Sequence, residues 1–310
     1  MRAALVGLPY SGKTTLFAAV AEAGGSSVHL ERPDQEHLAT VKVPDERLAW
    51  LEQVYEPKKR THAEIEFLDV PGLDLTTEAS RQRARQHWVA VRQSDMLVIV
   101  LRAFESDAAP PYGHRVDPAA DLEELRSEML FSDLEQVAAR VEKLEKSVKK
   151  PTPDRDMHLR ELELMRRMQE ALENERPLTE AVRSAEEEKM VRAFAFLTLK
   201  PALVVLNVDE DRSGRPGPDE HGGLPALQLS AKIEEEIASL DPGDRAEFLQ
   251  EMGLSEVARD RLIRKCYESM NLISFLTVGP DKVRAWTIPA DTTAVEAAEE
   301  IHSDIARGFI

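Results

Sequence analysis

The sequence runs to 310 residues, of which 42% are hydrophobic and 31% charged, with a formal net charge of −17. That balance describes a soluble globular protein with much surface helix, and no apolar run approaches the roughly 20 residues a bilayer span needs. The acidity argues against DNA as a partner, since sequence-blind binding needs a basic face, and the single Cys266 rules out an internal disulfide or a cysteine-built metal site, as suits the reducing cytoplasm.

From the N-terminus, Arg2-Ala-Ala-Leu-Val6 reads as a first strand running into a glycine turn, not as a signal peptide. The next segment, Gly7-Leu-Pro-Tyr-Ser-Gly12-Lys13-Thr14, matches G-x-x-x-x-G-K-[ST] between that strand and a helix expected over 13–24. The glycines let backbone N–H groups turn in on phosphates, Lys13 supplies a charge to the β/γ oxygens, and the Thr14 hydroxyl is placed to ligate Mg²⁺. Pro9, Tyr10, Ser11, Gly12 and Thr15 complete the expected phosphate contacts. Apolar runs at 64–69, 95–102 and 201–207, with a helix between at 79–93, read as strands buried on both faces of a parallel sheet. The first of these ends in Asp69-Val-Pro-Gly72, where P-loop enzymes hold Mg²⁺ on the acid and meet the γ-phosphate with the glycine N–H. Leu73 follows, at the place where Ras-like enzymes carry the glutamine that orients water, and it cannot do that work.

From residue 119, Leu130, Leu134, Val137, Val141, Leu144 and Val148 recur at helical spacing. Pro151 and Pro153 break this pattern, and Leu162, Met165, Met168 and Leu172 begin a second one, so an antiparallel helical arm is expected within 119–198, between G-domain parts 1–118 and 199–271. Asn207-Val-Asp-Glu210 ends the strand that follows, where GTPases carry N-K-x-D. Val208 replaces the lysine, and Glu210 is one methylene too long to keep the aspartate's bidentate grip on guanine, so guanine preference should weaken. A turn-rich loop over 211–223 leads to a short strand at 224–229 and then to Ser230-Ala231-Lys232, which matches the loop that completes a base pocket. Helical patterns continue to about Asn271. Two β-like runs and a helix from about 294 to 305 make a ββα piece too small to stand alone.

With these motifs the chain resembles the YchF-type, Obg-like ATPases, a branch of the translation-factor-related P-loop GTPases. The likeness takes in Val43-Pro-Asp45, Glu66-Phe-Leu-Asp69, Val116-Asp-Pro118, Leu229-Ser-Ala-Lys-Ile-Glu234, Val283-Arg-Ala-Trp-Thr-Ile288 and Arg307-Gly-Phe-Ile310, and so spans nearly the whole chain. It implies an α/β P-loop NTPase G domain with a doubly wound, mostly parallel sheet, an inserted helical arm, and a TGS-like domain at 272–310 that is partial. It also implies ATP in preference to GTP and association with ribosomes. Four departures accompany the likeness. Tyr10 stands where asparagine, linked to a stimulating K⁺ ion, is usual; Pro33 falls near the switch I threonine; segment 74–87 lacks the family's glycines; and the sequence stops at Ile310. The family's suspected catalytic histidine has a counterpart in His114, offset by about three positions. Slow Mg²⁺-dependent ATP hydrolysis serving as a switch is therefore expected, the alternative being a nucleotide-gated binding module without significant hydrolysis. A small-molecule kinase is disfavoured by the paired base loops.

Overall fold

The computed structural model describes residues 1–23, 35–254, 256–279 and 281–309; Pro33 lies outside them. In chain order the strands are β1 (Arg2–Val6), β2 (His37–Lys42), β3 (Lys59–Thr61), β4 (Glu64–Asp69), β5 (Met96–Ala103), β6 (Ala202–Val208), β7 (Glu220–His221), β8 (Leu224–Leu229), β9 (Leu272–Val278) and β10 (Lys282–Pro289). The helices are α1 (Lys13–Ala23), α2 (Glu46–Tyr55), α3 (Glu78–Arg92), α4 (Pro118–Ser147), α5 (Arg155–Glu173), α6 (Leu178–Ala181), α7 (Ala185–Val191), α8 (Ala231–Ser239), α9 (Pro242–Glu251), α10 (Ala258–Ser269), α11 (Ala294–Ile301) and α12 (Ser303–Arg307).

Successive residues of β1 serve opposite faces of a sheet that is covered on both sides. Ala3 and Leu5 pack with Phe17 of α1 and Leu262 of α10, whereas Ala4 and Val6 pack with Trp88 of α3 and Leu125 of α4. This two-sided burial is why the strands read as unbroken apolar runs. The seven-stranded sheet has the order β2-β4-β1-β5-β6-β8-β7. Its inner pairs are parallel, so the β1, β4 and β6 C-terminal ends open on one edge, while β2 and β7 pair antiparallel at the two margins.

The apolar seam expected from residue 119 divides its work. Leu122, Leu125 and Met129 of α4 cover the sheet, and only from about Leu130 does the helix turn its apolar side to α5. Val137, Val141 and Leu144 then interlock with Leu162, Met165, Met168 and Leu172 to form the arm. At the changeover Asp133, fully buried, accepts hydrogen bonds from Leu197 N–H (3.0 Å), Thr198 N–H (2.8 Å) and Thr198 Oγ1 (2.8 Å). Arg92 of α3 pairs with the same carboxylate at 2.8 Å. One side chain thus fixes where the arm leaves the sheet and where the chain re-enters it.

The C-terminal hairpin acquires what its length denies it. Residues 59–61 add β3 in parallel to β10, and Val283 and Ala285 are buried in the same cluster as Leu5 and Phe17. The helix expected over 294–305 is interrupted: His302 is extended (φ −169°) and its ring accepts from Asp304 N–H at 3.2 Å, capping α12.

Replacing Asp133 by alanine takes the charge partner from Arg92, which keeps Ala195 and Ser132, and leaves the buried Leu197 N–H and the half-buried Thr198 N–H without their acceptor. We expect Asp133→Ala to lose about 3–5 kcal/mol of stability in urea denaturation, with a loss below about 1 kcal/mol, the scale of a surface ion pair, contradicting the role given to it.

Candidate nucleotide-binding site

At the C-terminal edge of β1 the chain turns sharply and starts α1 at Lys13. Both motif glycines are required by close approach. A Cβ on Gly12, which has φ +82°, would lie 2.1 Å from Asn207 Nδ2, and one on Gly7 would lie 2.6 Å from the Val100 carbonyl oxygen. The turn delivers the open N–H groups of α1 to a cleft of about 840 Å³, where an anion is favoured by those groups and by the helix dipole.

The Lys13 side chain is buried, and its ammonium donates to the Asp69 carboxylate and to the Val70 carbonyl at the end of β4. Burial lowers its pKa, and the Asp69 charge opposes that effect. Thr14 Oγ1 donates to the other Asp69 oxygen at 3.1 Å. A hydroxyl and a carboxylate, both hard oxygen donors, therefore meet at the mouth of the phosphate loop. Gly72 passes so close to this loop that a Cβ would stand 3.0 Å from Pro9 Cα. Leu73 N–H donates to the Gly7 carbonyl (3.0 Å) and its side chain is wholly buried in the core, away from the cleft.

The other end of the cleft is organised by Asn207, which is 4% exposed. Its Nδ2 donates to the Ser11 carbonyl (3.0 Å) and its Oδ1 accepts from Ala231 N–H (2.9 Å). Asn207 is thus first a brace between three loops, with one amide hydrogen left for a purine edge. The Glu210 carboxylate is engaged by the Lys232 ammonium.

Every residue from Pro9 to Thr15 lines the cleft, as do Gly72, Asn207, Val208, Glu210, Ala231 and Lys232. Tyr10 adopts the left-handed conformation (φ 63°) with its side chain 58% exposed. Such a backbone suits asparagine far better than tyrosine. Ser230 is buried just before α8 and is absent from the wall. His114 is exposed on a short turn, at φ 58°, and is not among the residues that line the cleft. The loop leaves β5 in a direction set by another residue.

That residue is Arg102, which the sequence reading passed over. It is 3% exposed, and its guanidinium donates to the carbonyls of Phe104 (3.1 Å), Ala109 (2.9 Å), Pro110 (3.3 Å) and Tyr10 (3.4 Å). It also lies 4.5 Å over the Phe104 ring, which lines the cleft. An arginine closing an otherwise apolar strand was the available signal, since a buried charge needs partners.

Fold and cleft together define a P-loop nucleotide-binding protein. A family model described as a 50S ribosome-binding GTPase matches residues 2–143, and the YchF-GTPase C-terminal model, described as a protein of unknown function, matches 272–310. The chain is 33% identical to the "Ribosome-binding ATPase YchF" of Bacillus subtilis, covering 100% of this chain and 87% of that protein. It is 34% identical to the protein of the same name from Escherichia coli O157:H7, covering 99% and 86%. To "Obg-like ATPase 1" of Oryza sativa subsp. indica it is 31% identical, covering 100% and 81%. Among solved structures, the Schizosaccharomyces pombe YchF GTPase superposes with a TM-score of 0.81 at 27% identity, covering 100% of this chain and 86% of that one. The chain belongs to the YchF family of Obg-like ATPases.

Removing the Asn207 carboxamide frees Ser11 and Ala231 at once. Asn207→Ala should weaken nucleotide affinity by about tenfold to a hundredfold in titrations with a fluorescent analogue, with the circular dichroism spectrum unchanged.

Proposed function

We propose that this protein is a slow, Mg²⁺-dependent ATPase that acts as a nucleotide-controlled switch on the ribosome. The ribosome and ATP come from the names of its relatives. The observation that carries the nucleotide reading is the meeting of Lys13, Thr14 and Asp69 beneath a glycine turn. On arrival of a polyphosphate, Lys13 exchanges its Asp69 and Val70 partners for β/γ oxygens, and the α1 amides and Gly72 N–H receive the rest of the charge. The Thr14 hydroxyl and Asp69 would hold Mg²⁺, which binds few protein oxygens and keeps several waters, and when bound it would supply charge neutralisation for the phosphoryl group.

Turnover is slow because the core has taken Leu73, leaving the position without a side chain able to orient water. That same observation favours a second reading, a nucleotide-gated binding module without significant hydrolysis. Steady-state phosphate release decides between them: a rate above that of Lys13→Ala supports the ATPase, and release equal to that control supports the module.

ATP is preferred because Glu210 is held by Lys232 instead of standing free to take the two N–H donors of guanine. Adenine lacks guanine's N1–H and 2-amino donors, so it makes no demand on Glu210, and the apolar Val208 and Phe104 line the cleft where its edge would lie. Calorimetric titration with non-hydrolysable analogues should show ATP bound at least as tightly as GTP, and Val208→Lys with Glu210→Asp should move the preference toward GTP by about tenfold or more. A wild-type preference for GTP of that size contradicts this account of the base. For the ribosome, co-sedimentation that differs between ATP and ADP is expected, and its absence in both states counts against the partner.

A further inference from the structure

Three residues beyond Gly72 the chain is clamped from two sides. Both backbone polar groups of Leu75 are taken: its N–H donates to Tyr112 Oη at 3.1 Å, and its carbonyl accepts from Arg81 Nε at 2.9 Å. Neither partner stops there. Tyr112 Oη donates to Glu124 Oε1 at 3.1 Å, and Arg81 reaches Glu128 Oε2 at 3.4 Å. Glu124 and Glu128 are four residues apart on α4 and so share one face. Glu128 is 1% exposed and is held by Arg85 Nε at 2.7 Å as well, which makes it a fixed anchor. The Leu75 side chain is buried against the same α4 turns, in one cluster with Leu122, Leu125 and Met129. Burial, with the Glu124 charge adding to it, raises the Tyr112 pKa to about 12, so its phenol stays protonated and serves both bonds at neutral pH.

We propose that Tyr112 and Arg81 are positioning residues that lock the Gly72–Leu75 segment to the base of the helical arm, coupling the arm's position to the nucleotide in the cleft. The proposal rests on the nucleotide-switch reading above and names the device through which it is transmitted. Leu73 N–H is bonded to the Gly7 carbonyl of the phosphate loop, so the segment is held at one end by the phosphate loop and at the other by α4. At most about 11 Å of chain separates Gly72 from Leu75, too little slack to absorb a shift of Gly72 without moving the clamp. The lever is long. From Glu128 at the clamp to Ser147 at its end, α4 extends about 29 Å, and a tilt of about 5° at the clamp displaces the far end by about 2.5 Å. A packed junction with two arrangements, not a soft one, passes on so small a displacement.

The test uses the full chain with spin labels on Glu22→Cys and Lys149→Cys, both exposed positions, one on α1 and one beyond the end of α4. Cys266 is fully buried, and burial raises its thiol pKa, so it remains unlabelled. Double electron–electron resonance is recorded with ADP and with a non-hydrolysable ATP analogue, after nucleotide binding has been confirmed by titration of the same sample. The expected result is a distance that differs between the two nucleotides by about 2–3 Å in the parent protein. That difference should fall to less than half in Tyr112→Phe, which keeps the ring and removes only the hydroxyl, and in Arg81→Met. Glu124→Gln, which still accepts from the phenol, should retain the difference. kcat should fall in Tyr112→Phe with KM unchanged, as for a group that orders the reacting segment without holding substrate. Binding with one distance in both states, or a difference undiminished in both variants, overturns the coupling while leaving the nucleotide site intact. Failure of the parent protein to bind either nucleotide overturns the switch reading itself, and the coupling with it.

Discussion

The carboxamide of Asn207 is the contact on which the cleft depends. Ser11 belongs to the loop after β1, Asn207 to the end of β6, and Ala231 to the start of α8, so three separate connections are held by one buried side chain. Its position also explains Gly12, whose missing side chain is the space that the Asn207 amide occupies. Parallel strands bring these three loops to the same sheet edge, but strands alone leave loops free to drift. The amide removes that freedom, and the phosphate and base ends of the cleft keep a fixed separation.

Charges are buried in this protein where elements meet. Lys13 with Asp69 joins the phosphate loop to β4; Asp133 with Arg92 joins the arm to α3; Glu128 with Arg85 joins α3 to α4. Each carries a desolvation penalty that only good geometry and further hydrogen bonds offset. Asp133 meets that condition with three additional hydrogen-bond donors. Arg102 meets it differently: among the described residues no carboxylate pairs with it, and four backbone carbonyls accept its protons instead. Backbone acceptors hold a loop's path where a carboxylate would hold only another side chain. For this reason the segment from Phe104 to Pro110 lies against the phosphate loop and leaves His114 at the surface.

Much of the frame was legible because local pattern and tertiary role coincide. Residues 2–6 and 64–69 read as strands and are strands with those bounds, and β5 and β6 begin and end one residue later than their apolar runs. What escaped lies where burial is one-sided or borrowed. The edge strand β2, with its alternating His-Leu-Ala-Thr-Val-Lys, has no continuous run to read, and three-residue β3 exists only because β10 is beside it. His302 broke a helix that periodicity alone carried through to 305, since a ring that caps the next turn is an interaction propensity does not contain.

By itself the sequence determined the central strands and the helices between them, the phosphate loop, the acid that ends β4, and the presence of Val208 and Glu210 after the asparagine of β6. These are statements about residue type at a fixed spacing, and spacing is local information. The tertiary structure decided what those residues touch. It turned Asn207 inward as a brace, gave Glu210 to Lys232, buried Leu73 in the core, excluded His114 from the cleft and made Arg102 its keeper. It also linked Leu75, through Tyr112 and Arg81, to two carboxylates of α4 some fifty residues away along the chain. Contacts at such separations are fixed by the packing of both sheet faces, which no local pattern records.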